Sequence, residues 1–119
     1  MLVLLADDQA KVRSALRVLL GQQPGIEILG EAVDTTGLID WVKAAPVDVV
    51  LLDWELPGLP PAALLPLLRS HGPGVRVIVL NSHPEVRAAA LAEGADAFVS
   101  KGDPPEILLA AIACCTSTS

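Results

Sequence analysis

The chain has 119 residues, of which 52% are hydrophobic and 18% charged, and its fourteen acidic and eight basic side chains give a formal net charge of −6. That length suits one domain over residues 1–119 with a core that needs no staple, and the composition excludes a disordered chain. The acidic balance, the scattered Lys and Arg and the 3% aromatic content without Tyr exclude direct nucleic-acid binding by this domain and a base-stacking surface.

Met1–Ala6 is a continuous apolar run and reads as a buried strand. It is too short to span a bilayer and lacks the leader of a signal peptide, so a cytoplasmic protein without membrane contact is expected. Gln9–Gln22 has helical spacing, with Val12, Leu16, Leu19 and Leu20 on one face, and Gln23-Pro24-Gly25 stops it. Glu27–Val33 reads as the second strand. Asp34 is placed to cap a helix running to about Lys43, with Leu38, Ile39 and Val42 inward. Asp48–Leu52 is a Val-rich run suited to a strand covered on both faces.

Pro57–Pro61 is a loop, with Pro57-Gly58 as its turn. The Leu-rich helix that follows to about Ser70 contains Pro66, which should kink it or delay its start. His71–Gly74 breaks the chain before a fourth strand, Val75–Leu80. Pro84 opens a helix to Glu93 that Gly94 closes. Ala97–Val99 is a short fifth strand. Pro104-Pro105 opens the last helix, with Ile107, Leu108, Ala111 and Ile112 as its apolar face, and the Thr-Ser tail frays. Cys114 and Cys115 are adjacent on that helix, point about 100° apart, and read as two small hydrophobes rather than a disulfide or metal site.

Five strands alternating with five helices predict an α/β fold, a doubly wound (βα)5 parallel sheet in the order 2-1-3-4-5. Ligands of such sheets sit at the carboxyl ends of the strands where the winding reverses, between strands one and three. Asp7 and Asp8 follow the first strand, Asp53 the third, Asn81 and Ser82 the fourth, and Lys101 the fifth. Taken singly, each has a plain structural explanation: a helix cap, a solvated loop, a turn residue, a surface lysine. Jointly they line one edge of one sheet. Three carboxylates meeting there repel one another unless a hard divalent cation such as Mg²⁺, which takes oxygen ligands, lies among them. Lys101 adds a positive charge. No Gly-rich phosphate loop, dinucleotide fingerprint or alternating Asp-x-Asp phosphatase pattern is present. His71 and His83 fall in loops without partners for a Ser-His-Asp arrangement, His83 being the nearer to the crevice.

The sequence of Asp7-Asp8 after a strand, Asp53 followed by Pro57-Gly58, and Lys101 after a short strand resembles the receiver domain of bacterial two-component response regulators, a flavodoxin-like family. The segment Glu93-Gly94-Ala95-Asp96-Ala97-Phe98-Val99-Ser100-Lys101 is similar to the run before that family's lysine, and the resemblance covers essentially the whole chain. It implies that Asp53 accepts a phosphoryl group from a histidine kinase or phosphotransfer protein. It also implies that Asp8, Asp53 and the main-chain carbonyl of Glu55 hold Mg²⁺ directly, that Asp7 acts through water, and that Lys101 contacts the phosphoryl group.

By the same resemblance the domain is no enzyme beyond catalysing its own phosphorylation and dephosphorylation. It relays the signal by a conformational switch at the face of helix 4, strand 5 and helix 5. Asn81 stands where the family's switch hydroxyl normally lies, with Ser82 just after it, and Phe98 occupies the switch aromatic position without a phenol hydroxyl. A homodimer through helices 1 and 5, or through the helix 4–helix 5 face, is a further expectation. A second reading, favoured by Asn81, is a pseudo-receiver: an interaction domain of the same fold that is not phosphorylated.

Overall fold

A computed structural model describes residues 1–116. The elements in order are β1 (Leu2–Ala6), α1 (Ala10–Gly21), β2 (Glu27–Ala32), α2 (Thr35–Ala44), β3 (Val49–Asp53), α3 (Pro61–His71), β4 (Arg76–Asn81), a 3₁₀ turn (Pro84–Val86), α4 (Arg87–Ala92), β5 (Ala97–Ser100) and α5 (Pro105–Thr116). The strands form one parallel sheet in the order β2-β1-β3-β4-β5. The expected (βα)5 doubly wound fold is the observed one.

Strand side chains alternate between the two faces, and this builds two cores. Leu4, Ala6, Val50, Leu52, Val77, Val79 and Phe98 join Leu38, Val42, Leu64, Leu65, Leu68 and Ala90 on the face covered by α2, α3 and α4. Val3, Leu5, Val49, Leu51, Ile78, Leu80 and Val99 join Leu16, Leu20, Leu108 and Ile112 on the face covered by α1 and α5. The central strands carry near-continuous apolar runs because both faces are buried. α1 packs on one face and α2 on the other, so the winding reverses between β1 and β3.

Local signals explain most boundaries. The Asp34 carboxylate accepts the Gly37 N–H at 2.8 Å and caps α2 as expected. Gly94 takes φ +108° beyond α4, and Gly58 takes φ +121° in the β3–α3 loop. The Asp96 carboxylate accepts the Val77 N–H at 2.8 Å and an Arg69 N–H at 2.9 Å, tying the end of α3 to the entry of β4.

Four expectations need correction. Pro66 does not delay α3, which runs from Pro61 to His71 with the proline on its exposed side. His71 is the exposed last residue of α3 rather than a loop residue. The helix foreseen from Pro84 begins as a 3₁₀ turn and becomes α-helical only at Arg87. Ile107 is 47% exposed, so the inward face of α5 rests on Leu108, Ala111 and Ile112. The fraying foreseen for the Thr-Ser tail lies outside the described residues. Cys114 and Cys115 are free thiols on the last turns of α5. No helix among the described residues is long and apolar enough to cross a membrane.

Candidate functional site

Register brings the strand ends level. Ala6 pairs with Leu52, so the next residues, Asp7 and Asp53, stand side by side. Asp53 pairs with Leu80 and Asn81 with Ser100, which sets Asn81 and then Lys101 around the same rim. The crossovers out of β3 and β5 are pinned to β4, where Trp54 N–H donates to the Leu80 carbonyl at 3.1 Å and Lys101 N–H to the Asn81 carbonyl at 2.9 Å. Strand pairing therefore gathers residues that are far apart in sequence.

Asp7 and Asp53 are buried and Asp8 is exposed, and one carboxylate oxygen from each lies within 4.8 Å of the others. Lys101 Nζ is 2.9 Å from Asp7 Oδ2 and 3.6 Å from Asp53 Oδ1, and it donates to Gln9 Oε1 at 3.4 Å. One ammonium thus pairs with two of the three clustered carboxylates. Asp7 Oδ1 accepts the Gln9 N–H at 2.8 Å. Its Oδ2 is buried and, beside the lysine, receives no hydrogen bond.

Burial, above all, pushes the Asp53 carboxyl above its ordinary pKa. The Glu55 N–H donated to Asp53 Oδ1 at 3.2 Å pulls it back, the Asp7 charge raises it, Lys101 lowers it and Asp8 raises it again. Three converging carboxylates held by a single ammonium keep an excess of negative charge, and together they are a donor set that fits a hard divalent cation with oxygen ligands.

The remaining residues read from sequence fall around this rim. Asn81 is buried, and its Oδ1 accepts the His83 N–H at 2.8 Å, which leaves the amide nitrogen as its donor group. Ser82 and Glu55 are exposed. Phe98 is buried in the core beside the α4 face. The His83 imidazole is exposed and stands 3.6 Å from Glu85 rather than among the carboxylates.

Sequence reasoning missed three contributors. Gln9 meets Lys101 across the rim. Arg13 donates to the Asp7 carbonyl at 2.7 Å. Thr35 is buried at the start of α2; its Oγ1 accepts the Leu59 N–H at 2.9 Å and its N–H donates to the Pro57 carbonyl at 2.9 Å. It therefore clamps the loop that follows Asp53. No local pattern marks these residues, because each acts on a segment that only the fold brings near.

Comparison with known proteins agrees with this geometry. The family model described as "Response regulator receiver domain" matches residues 3–113. Response regulator UvrY of Escherichia coli O6:H1 is 34% identical over 112 residues, covering 92% of this chain and 51% of the relative. The nitrate/nitrite response regulator protein NarP of Escherichia coli K12 is 36% identical over 92% of this chain and 52% of its own length. The chain thus spans about half the length of the curated relatives it matches. Among solved structures, the signal receiver domain of the putative response regulator NarL from Mycobacterium tuberculosis superposes with a TM-score of 0.85 at 29% identity, covering 98% of this chain and 97% of that one. RcsB from Salmonella enterica serovar Typhimurium, solved bound to promoter rprA with the phosphomimetic BeF3−, gives a TM-score of 0.85 at 28% identity, covering 98% and 99%. A family match over nearly the whole chain, joined to an acidic site where the winding of the sheet reverses, places this chain in the response regulator receiver domain family of two-component systems.

Proposed function

We propose that Asp53 takes a phosphoryl group from a phosphohistidine of a histidine kinase or phosphotransfer protein. The observation that carries this reading is the pairing of a buried carboxylate, Asp53, with a lysine ammonium 3.6 Å away at a strand end. An Asp53 carboxylate oxygen forms a bond to phosphorus as the bond from phosphorus to the donor imidazole nitrogen breaks. The nitrogen leaves with the electron pair, and Asp53 becomes an acyl phosphate. Lys101, on the same rim, stabilises charge on the equatorial phosphoryl oxygens.

Asp8, Asp53 and the main-chain carbonyl of Glu55 would hold Mg²⁺, with Asp7 acting through water. When bound, the ion supplies positive charge that offsets repulsion between nucleophile and incoming phosphate. The excess of three clustered carboxylates over one ammonium supports a cation at this place.

The Asn81 amide nitrogen is the group at the end of β4 able to donate to a phosphoryl oxygen, with Ser82 next to it. The signal then leaves through the face of α4, β5 and α5, where Phe98 packs. The domain acts in the cytoplasm, catalyses only its own phosphorylation and dephosphorylation, and binds no nucleic acid itself. It pairs with a second copy through α1 and α5 or through the α4–α5 face. Intact mass after incubation with acetyl phosphate and Mg²⁺ tests the central step. One added phosphoryl group, absent in Asp53→Asn, is the expected result. No added mass in the unaltered protein would turn the reading to a phosphorylation-independent interaction domain.

A further inference from the structure

Asp8 is the least anchored of the three carboxylates. It is exposed, whereas Asp7 and Asp53 are buried and held by backbone N–H groups. Where the Asp8 side chain stands depends on its backbone, and above all on the peptide plane that joins it to Asp7. That plane contains the Asp7 carbonyl, the Asp8 N–H and the Asp8 Cα, so fixing the carbonyl sets ψ of Asp7 and with it the place of the Asp8 Cα.

The Asp7 carbonyl receives a charge-assisted hydrogen bond. Arg13 Nη1, reaching back from the first turn of α1, donates to it at 2.7 Å. The guanidinium is itself held, because its Nε donates to Glu31 Oε1 on β2 at 2.5 Å. Glu31 also takes Arg17 Nε on its other oxygen, and the hydrogen bond from Arg17, with that from Arg13, keeps its carboxyl below the ordinary range. Asp7 N–H meanwhile donates to the carbonyl of Ala32, the residue after Glu31, at 3.1 Å. Asp7 is thus tied to β2 on both sides of its Cα, directly through its N–H and, through the Arg13–Glu31 strut, at its carbonyl.

We propose that Arg13 is a positioning residue for the acidic pair: acting through the Asp7 carbonyl, and braced by Glu31, it sets the backbone that presents Asp8 to a divalent cation. Arg13 itself touches neither cation nor phosphoryl group. The inference rests on the divalent-cation reading of the site and refines it, since it separates the residues that ligate from the one that aims them. Arg17 provides the internal control. It shares Glu31 but makes no hydrogen bond to Asp7. Loss of a supporting hydrogen bond around a metal site lowers metal affinity by about 10–100-fold in other proteins; with Asp53 anchored independently, the low end is expected here.

The experiment is a Mg²⁺ titration of the unphosphorylated full chain, read by the fluorescence of Trp54, which directly follows Asp53, alongside urea unfolding in EDTA. Arg13→Ala should weaken Mg²⁺ binding about tenfold. Arg13→Lys, which keeps the charge but reaches one acceptor rather than two, should recover part of that loss. Arg17→Ala should lower stability in EDTA while leaving the Mg²⁺ affinity within about twofold of the unaltered protein. If Arg13→Ala does not fold, Arg13→Lys and Glu31→Gln carry the test, each with an affinity loss larger than that of Arg17→Ala. Equal affinities for the Arg13 and Arg17 variants would overturn the proposal. Absence of Mg²⁺ binding by the unaltered protein would instead sink the cation reading itself, so the two failures are distinguishable.

Discussion

In the absence of a cation, the Asp53 carboxylate should destabilise the fold that carries it. Asp53 has two like-charged neighbours with an oxygen within 4.8 Å and one opposite charge at 3.6 Å. At an effective dielectric of about 20, a like pair at that separation costs about 3.5 kcal/mol, and the lysine contact returns about 4.6 kcal/mol. The two repulsions exceed the one attraction by about 2 kcal/mol. Asp53→Asn removes the charge and keeps the oxygen that accepts the Glu55 N–H. Its stability in EDTA at neutral pH and low salt should therefore rise by about 1–3 kcal/mol, or about 4 °C in Tm per kcal/mol.

The pH dependence has a definite sign. The native state holds the Asp53 proton to a higher pH than the unfolded chain does, because burial raises the pKa. The penalty is therefore absent below the ordinary carboxylate range, grows as pH rises towards the raised pKa, and is complete above it. The advantage of Asp53→Asn should close on acidification. Adding Mg²⁺ should close it too, because the ion stabilises the unaltered protein by mass action. Urea titrations of both proteins at several pH values, read by tryptophan fluorescence, measure all of this. An Asp53→Asn protein that is less stable at neutral pH in EDTA, or a gap that widens on acidification, would refute the electrostatic reasoning.

Other substitutions test the surrounding parts. Lys101→Ala leaves the buried Asp7 Oδ2 without its 2.9 Å counter-charge, so urea unfolding should show a loss of about 3 kcal/mol, and Asp53→Asn in that background should recover more than it gains alone. Gly58→Ala would force a side chain onto φ +121° with its Cβ 2.0 Å from Thr35 Oγ1; the strain and clash should cost about 2–4 kcal/mol and slow phosphorylation measured by intact mass, because the loop after Asp53 shifts. Glu55 places an exposed negative charge two residues from Asp53, so Glu55→Asn should change the acyl-phosphate half-life; equal half-lives would show that this charge has no part in phosphate loss.

The fold was legible because both layers write simple periodicities into the chain. Runs such as Val49–Leu52 are apolar throughout because both faces of a central strand are covered, and the amphipathic stretches between them carry the 3.6-residue spacing of surface helices. The site was legible for a related reason: Asp7, Asp53, Asn81 and Lys101 are polar residues standing at the ends of apolar runs, and strand order alone makes those ends neighbours. What escaped were residues whose role is fixed only by tertiary proximity. Thr35 looks like an ordinary residue after a helix cap until the loop at Leu59 arrives beside it. Arg13 looks like a solvated helix residue until the Asp7 carbonyl turns towards it. Pro66 misled because its effect depends on which side of the helix it occupies, and the 3₁₀ opening before Arg87 has no period distinct enough to find in three residues.

The central claim is that Asp53, and no neighbouring carboxylate, receives the phosphoryl group. Reduction of the acyl phosphate with borohydride converts the modified aspartate to homoserine, and peptide mapping then locates it. After treatment with acetyl phosphate and Mg²⁺, homoserine is predicted at position 53 alone, with Asp7 and Asp8 recovered unchanged. Homoserine at position 7 or 8, or a protein recovered with all three aspartates intact, would contradict the account.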